Sequence, residues 1–136
     1  MRTLHTAYRV RDIDRSLAFY GAFGFEEIGR VRLEHSETLV MLKLPEDAAV
    51  SLELVHQPQA PAFEVGGFSH LVVEVERLDA VLGDLGRAGI AFEEPQWPGG
   101  PDGPFTSFVM DPDGYRIELV QWPAGHSHGM TAADFG

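Results

Sequence analysis

The chain of 136 residues and 15.0 kDa fits one domain, and a domain of this size buries a core without crosslinks. It has no cysteine, which excludes disulfides, thiolate metal sites and a cysteine nucleophile. Its 21 Asp and Glu against 10 Lys and Arg give a formal charge of -11, which repels phosphate backbones and makes nucleic acid a poor partner.

No run approaches the roughly 18 apolar residues of a membrane span, and none follows Met1 as an export signal, so the expectation is a soluble, cytoplasmic protein without membrane partners. Residues 4–10 read as a strand. Asp12 or Asp14 then caps a helix in which Ile13, Leu17 and Tyr20, with Ala18 and Phe19 alongside, form one apolar stripe ended by Gly21 and Gly24. Strands follow over 25–33 and 38–44, joined through Glu34, His35, Ser36 and Glu37, and a further one spans 50–56. Residues 1–56 thus read as a βαβββ module. Segment 57–67, with Pro58, Pro61, Gly66 and Gly67, has a linker's composition.

The second module, 68–122, starts with a strand over 69–75 and a helix over 78–87 with Val81, Leu82 and Leu85 inward, and Gly89-Ile90 restarts the sheet. Phe63 and Phe68 are expected to bury where the modules meet. Residues 95–104 hold four prolines and three glycines, too broken for regular structure and suited to a loop beside a site, which Trp97 would cover or anchor. The last strands, 105–110 and 115–121, flank the turn Asp111-Pro112-Asp113-Gly114. The tail, 123–136, has no periodicity and is expected to fray unless it docks on a partner. The fold class is α+β, one domain over 1–122 built of paired βαβββ modules.

At a constant offset of 65 residues the chain repeats itself. His5 answers to His70, Asp14 to Asp79, Leu17 to Leu82, Gly21 to Gly86, Gly24 to Gly89 and Glu53 to Glu118. Strand side chains alternate between faces, so Glu53 and Glu118, each between apolar neighbours, read singly as solvated strand residues before inward ligands, and so do the two histidines. Repetition favours the second reading, because duplicated core positions ordinarily keep apolar residues and here the polar ones recur in register. Two imidazoles and two carboxylates suit a divalent nickel, zinc, cobalt, manganese or iron ion, and the absence of thiolates argues against a closed structural zinc site. Four protein ligands on a six-coordinate ion leave two positions for water or substrate.

The run His5-Thr6-Ala7-Tyr8-Arg9-Val10, the run Asp12 to Tyr20, and Asp111-Pro112-Asp113-Gly114-Tyr115-Arg116-Ile117-Glu118-Leu119 resemble glyoxalase I (lactoylglutathione lyase) of the vicinal oxygen chelate superfamily, over nearly the whole chain to Val120. The resemblance implies paired βαβββ modules curled around a metal held by His5, Glu53, His70 and Glu118. It implies a homodimer in which His5 and Glu53 of one chain join His70 and Glu118 of the other. The metal would chelate the oxygens of a hemithioacetal of methylglyoxal, and a glutamate, chiefly Glu118 with Glu53 as its counterpart, would move a proton between neighbouring carbons to leave a 2-hydroxyacyl thioester. Arg9 matches an arginine that pairs with a glutathione carboxylate, or else forms an internal ion pair with Glu74. Gln57 stands where related enzymes have an asparagine for the thiol, and residues 95–104 hold no lysine or arginine.

Three alternatives share the scaffold. An epimerase acting beside a thioester carbonyl has glutamine at the second ligand, against Glu53. A ring-cleaving dioxygenase needs two His and one carboxylate only. A drug-binding resistance protein uses no catalytic metal and commonly lacks the four ligands. His35, His126 and His128 read as solvated histidines.

Overall fold

The computed structural model describes residues 1–136, which divide into two compact units, Met1–Val65 and Gly66–Gly136. No helix is long and apolar enough to cross a membrane.

In the first unit, β1 (Thr6–Arg9) leads through a short turn to α1 (Ile13–Ala22), then β2 (Glu26–Arg32), β3 (Thr38–Lys43) and β4 (Leu52–His56). Asp12 is the helix cap: its carboxylate accepts the Arg15 amide at 2.9 Å, satisfying one of the free N–H groups of the first turn. At the other end Gly24 takes φ +95°, the left-handed conformation that costs glycine least. This lets the Phe25 amide reach back to the Tyr20 carbonyl at 3.1 Å. The strands lie in the order β1-β4-β3-β2, with β1 parallel to β4 and the other pairs antiparallel. Pairing is what shortens the expected strand at 4–10. Only from Thr6 onward does β1 have a partner, Thr6 lying opposite Leu52.

One face of this sheet is dry. Tyr8, Leu54 and Val40 align across it, with Leu52 and Leu42 in the next row, and Phe19, Tyr20 and Phe25 complete the core. The aromatic rings meet edge to face, Tyr20 against Phe19 at 5.1 Å and against Phe25 at 5.7 Å, the geometry that sets a positive ring edge on a negative face. Tyr8 and Tyr20, both buried, satisfy their hydroxyls against each other at 2.5 Å.

In the second unit, β5 (His70–Glu74), α2 (Leu78–Arg87), β6 (Phe105–Met110) and β7 (Arg116–Gln121) follow the same path. The helices begin and end at the same 65-residue offset, and Gly89, at φ +77°, closes α2 as Gly24 closes α1, with the Ile90 amide on the Leu85 carbonyl at 2.9 Å. The cap differs. Arg77 cannot accept, and the Leu78 amide is taken instead by the Gln121 side chain from β7 at 2.7 Å. The sheet order is β5-β7-β6, parallel between β5 and β7.

The second unit has three strands where the first has four. The strand expected after Gly89 is reduced to two isolated bridges, Phe92 with Val109 and Gln96 with Thr106. The Glu93 amide still reaches the Phe108 carbonyl at 2.8 Å, so the segment runs alongside β6. Pro95, with no N–H, interrupts the ladder between the bridges, and Pro98 and Pro101 prevent its renewal. The turn before β7 is built on Asp111, whose buried carboxylate accepts the amides of Asp113 and Tyr115, each at 2.9 Å, while Gly114 takes φ +97°. Phe68, expected to bury, is exposed and rests edge-on against Tyr115.

The tail is tied down within its unit rather than frayed. Trp122 stacks on His126 with ring centroids 4.4 Å apart. His126 bonds Asp134 at 2.8 Å, Thr131 and Asp134 form a reciprocal cap on the short 3-10 turn Ala132–Phe135, and His128 bonds Glu74 at 2.9 Å. The Ser127 carbonyl, then Asp134, raise the His126 pKa above the ordinary 6.5; the Thr131 amide, then His126, lower that of Asp134. A raised histidine pKa contributes stability that is complete below the unfolded value and is lost as pH rises through the folded one. The lowered carboxylate contributes above its unfolded value and loses it as pH falls through the folded one. The clasp is therefore tightest between the ordinary carboxylate range and neutrality. Ring-proton NMR should show His126 titrating above a free histidine and amide exchange over 123–136 quickening as the pH passes that midpoint. An ordinary midpoint with pH-independent protection would refute the clasp.

Candidate functional site

Each sheet has a second face, opposite its apolar core, and the repeated polar residues lie there. In the first unit Ala7, Glu53 and Met41 stand side by side on β1, β4 and β3, and His5 directly precedes β1 on the same face as Ala7. In the second, Val72, Glu118 and Phe108 form the equivalent row, with His70 two residues before Val72. Glu53 points this way because Leu52 and Leu54, its neighbours, are taken into the core; Ile117 and Leu119 do the same for Glu118. The carboxylates are neither core nor open surface: the Glu53 and Glu118 side chains are 15% and 20% exposed.

The outcome is two pairs. His5 Nε2 lies 2.8 Å from Glu53 Oε2, and His70 Nε2 lies 3.2 Å from Glu118 Oε2. Two donors bound at right angles to one ion with bonds near 2.1 Å sit about 3.0 Å apart, so each pair has the separation of one edge of a coordination polyhedron. Nitrogen and carboxylate oxygen in this mixture fit a borderline divalent ion. Each unit supplies one edge, and within neither does a third His, Asp or Glu join the pair.

The second pair carries supports the sequence did not reveal. Ser69 Oγ lies 2.8 Å from His70 Nδ1 and fixes the ring; with an ion on Nε2, Ser69 would accept the Nδ1 proton. The Phe108 ring meets the imidazole edge-on at 5.5 Å, and Arg116, ion-paired to Glu93 at 2.9 Å, lies over the same ring at 4.0 Å. Ser69 beside a repeated histidine is a signal in the sequence, but register was needed to show that Phe108 lies beside Glu118.

Arg9 donates to the Pro61 carbonyl at 3.0 Å, and its guanidinium lies 4.6 Å over the Phe63 ring. Gln57, one residue beyond β4, lines a shallow depression with His35, Glu37, Gln59 and Ala60. Trp97 stacks on Phe105 with centroids 4.0 Å apart, an anchor for the proline-rich loop. His126 and His128 are hydrogen-bonded in the tail clasp, and His35 holds a left-handed backbone at φ 56°.

Comparison with known proteins places these features in context. The chain is 32% identical to a probable lactoylglutathione lyase of Vibrio cholerae, over 93% of this chain and 94% of that one. It is 29% identical to a lactoylglutathione lyase of Arabidopsis thaliana, over 88% of this chain but 44% of the relative, so it spans less than half the length of the plant relatives it matches. Among solved structures, the trypanothione-dependent glyoxalase I of Leishmania major superposes with a TM-score of 0.74 at 30% identity, covering 89% of this chain and 86% of that one. The glyoxalase I of Zea mays superposes with a TM-score of 0.77 at 26% identity, covering 90% and 45%. The family model for the glyoxalase/bleomycin resistance protein/dioxygenase superfamily matches residues 2–119, and the chain, with its repeated βα units and mixed sheets, belongs to that superfamily.

Proposed function

We propose that this protein is a metal-dependent lyase of the glyoxalase I type, which isomerises the hemithioacetal of a 2-oxoaldehyde such as methylglyoxal and a thiol to a 2-hydroxyacyl thioester. The observation that carries this reading is the pair of His–Glu edges at equivalent positions of two repeated units, 2.8 and 3.2 Å across. The relatives named lactoylglutathione lyase support it. His5 and Glu53 of one copy would meet His70 and Glu118 of a second to form the four-ligand set.

A bound divalent ion, nickel or zinc, would supply Lewis-acid polarisation of the substrate's two vicinal oxygens. The chain's own residues do the rest. Glu118, half-sheltered and backed by apolar neighbours, takes the proton from the hydroxyl-bearing carbon next to sulfur and returns it to the adjacent carbon, so that no atom is gained or lost. Ser69 holds the His70 ring in place, and Phe108, opposite Glu118 in the β6–β7 register, packs edge-on against the same ring. Arg9 and Gln57 border the path on which the thiol's non-reacting arm would lie.

The direct test is to strip the protein of metal, reload it separately with nickel, cobalt, zinc and manganese, and follow thioester formation from methylglyoxal with a panel of thiols. Metal-dependent turnover with any thiol is the expected result. Stoichiometric metal uptake without turnover in every combination would discard the lyase assignment.

A further inference from the structure

The repeat makes the two His–Glu edges comparable position by position, and they are not braced alike. At the 65-residue offset Ser69 answers to Leu4 and Arg116 to Ser51, and by strand register Phe108 beside Glu118 answers to Met41 beside Glu53. In the first unit these counterparts do other things. Leu4 is exposed, Ser51 donates to Asp47 at 2.6 Å in the loop before β4, and His5 has Glu53 as its one hydrogen-bond partner. Met41 is a flexible thioether chain with no ring face to hold a cation.

In the second unit they converge. β5 sets His70 opposite Arg116 on β7, and neighbours across a sheet project to the same face, so Arg116 leaves the sheet beside His70 on the face that carries Glu118. Its side chain turns over Phe108, the guanidinium carbon 4.0 Å from the ring centroid, and Nη2 donates to Glu93 Oε1 at 2.9 Å. Glu93 is itself strapped to β6 at this point. Its amide donates to the Phe108 carbonyl at 2.8 Å, and its carbonyl accepts the buried Ser107 hydroxyl at 2.7 Å. Phe108 in turn meets the His70 ring at 82° with centroids 5.5 Å apart, and Ser69 holds the Nδ1 edge of that ring at 2.8 Å. A planar guanidinium serves both of its contacts at once, stacking through its face while donating through its rim.

Two effects of Arg116 on a bound divalent ion oppose each other. As a cation on the same face it would repel the ion. As a clamp on Phe108 it restricts the imidazole beforehand, so less side-chain freedom is lost on binding. The repulsion is the smaller effect, because the guanidinium is neutralised by Glu93 and its partly exposed position is screened by solvent. We infer that Arg116 is a positioning residue for the metal edge: through Phe108 it holds the His70 ring where Nε2 faces Glu118, so that this edge is shaped before an ion binds. The inference rests on the metal-dependent reading above only in taking His70 and Glu118 as ligands.

The test reads metal affinity directly, by competition for zinc with a chromophoric chelator. Arg116→Gln should weaken zinc binding about threefold and Phe108→Leu about tenfold. Arg116→Lys, which keeps the charge but not the planar stack, should fall between the parent and Arg116→Gln. The double variant should bind no more weakly than Phe108→Leu alone, because Arg116 acts through that ring. Unchanged or tighter binding in Arg116→Gln, the latter being the sign of charge repulsion alone, would overturn the inference, and so would losses that add in the double variant. Should the parent take up no metal, the metal-dependent reading fails and NMR relaxation of the imidazole rings in the metal-free protein decides the bracket. His70 should then lose order in Arg116→Gln and in Phe108→Leu while His5, in the other unit, keeps it. Loss at His70 alone upholds the bracket; no change, or the same change at His5, ends it.

Discussion

Glu118→Gln is expected to fold like the parent and to lose about three orders of magnitude in kcat, some 4 kcal/mol of transition-state stabilisation. A carboxamide matches the carboxylate in shape but does not take a proton at neutral pH. The fold should be indifferent, because the side chain projects from the face opposite Ile117 and Leu119 and has His70 as its partner. Metal affinity must be measured alongside turnover. A variant that binds metal within a few fold of the parent yet fails to turn over places the defect in proton transfer. One that has lost the ion shows Glu118 acting as ligand alone, and near-parental turnover would remove it from the mechanism.

Complementation gives the second large effect. A His5→Ala/Glu53→Ala variant lacks one edge of the proposed site, and a His70→Ala/Glu118→Gln variant lacks the other, so each should be inactive by itself. If the edges meet between copies, refolding the two together at equal amounts should restore about one quarter of parental activity. Half of the random dimers then contain both variants, and in each of those one of two sites is whole. Recovery near zero with mixed dimers demonstrably formed would mean that both edges come from the same chain. That outcome would keep the four ligands and discard the shared site. Size-exclusion and tagged pull-down of the mixed species distinguish this from a failure to exchange subunits.

Some parts of this molecule follow from local rules. The helices are marked by Asp12 as an acceptor and by Gly24 and Gly89 as left-handed ends, and backbone sterics and unpaired amides decide both. The turn at Asp111–Gly114 is local for the same reason, since the carboxylate folds back onto amides two and four residues on. Other parts depend on distant partners. The expected fourth strand of the second unit reads plausibly from Gly89 onward, yet strand length is set by what it pairs with, and Pro95 removes a donor where pairing would have continued. The tail shows no periodicity because stacking and hydrogen bonds, His126 on Trp122 and His128 to Glu74, hold it instead of an apolar stripe. The acceptor at the start of α2 was equally hidden, since it comes from Gln121, 43 residues away.

By itself the sequence determined the α+β class, the two-fold repeat at 65 residues, the helix ends, and the recurrence of His5 and Glu53 as His70 and Glu118 at that offset. These are statements about spacing and side-chain type, which a linear pattern carries. Only the tertiary structure decided which face of each strand the glutamates occupy, because alternation alone is symmetric and the apolar core breaks the tie. It also decided that these four residues form two His–Glu pairs, one per unit, and that Arg9 lies against Pro61 and Phe63. Those depend on strand register and side-chain contact, which exist only once distant segments have met.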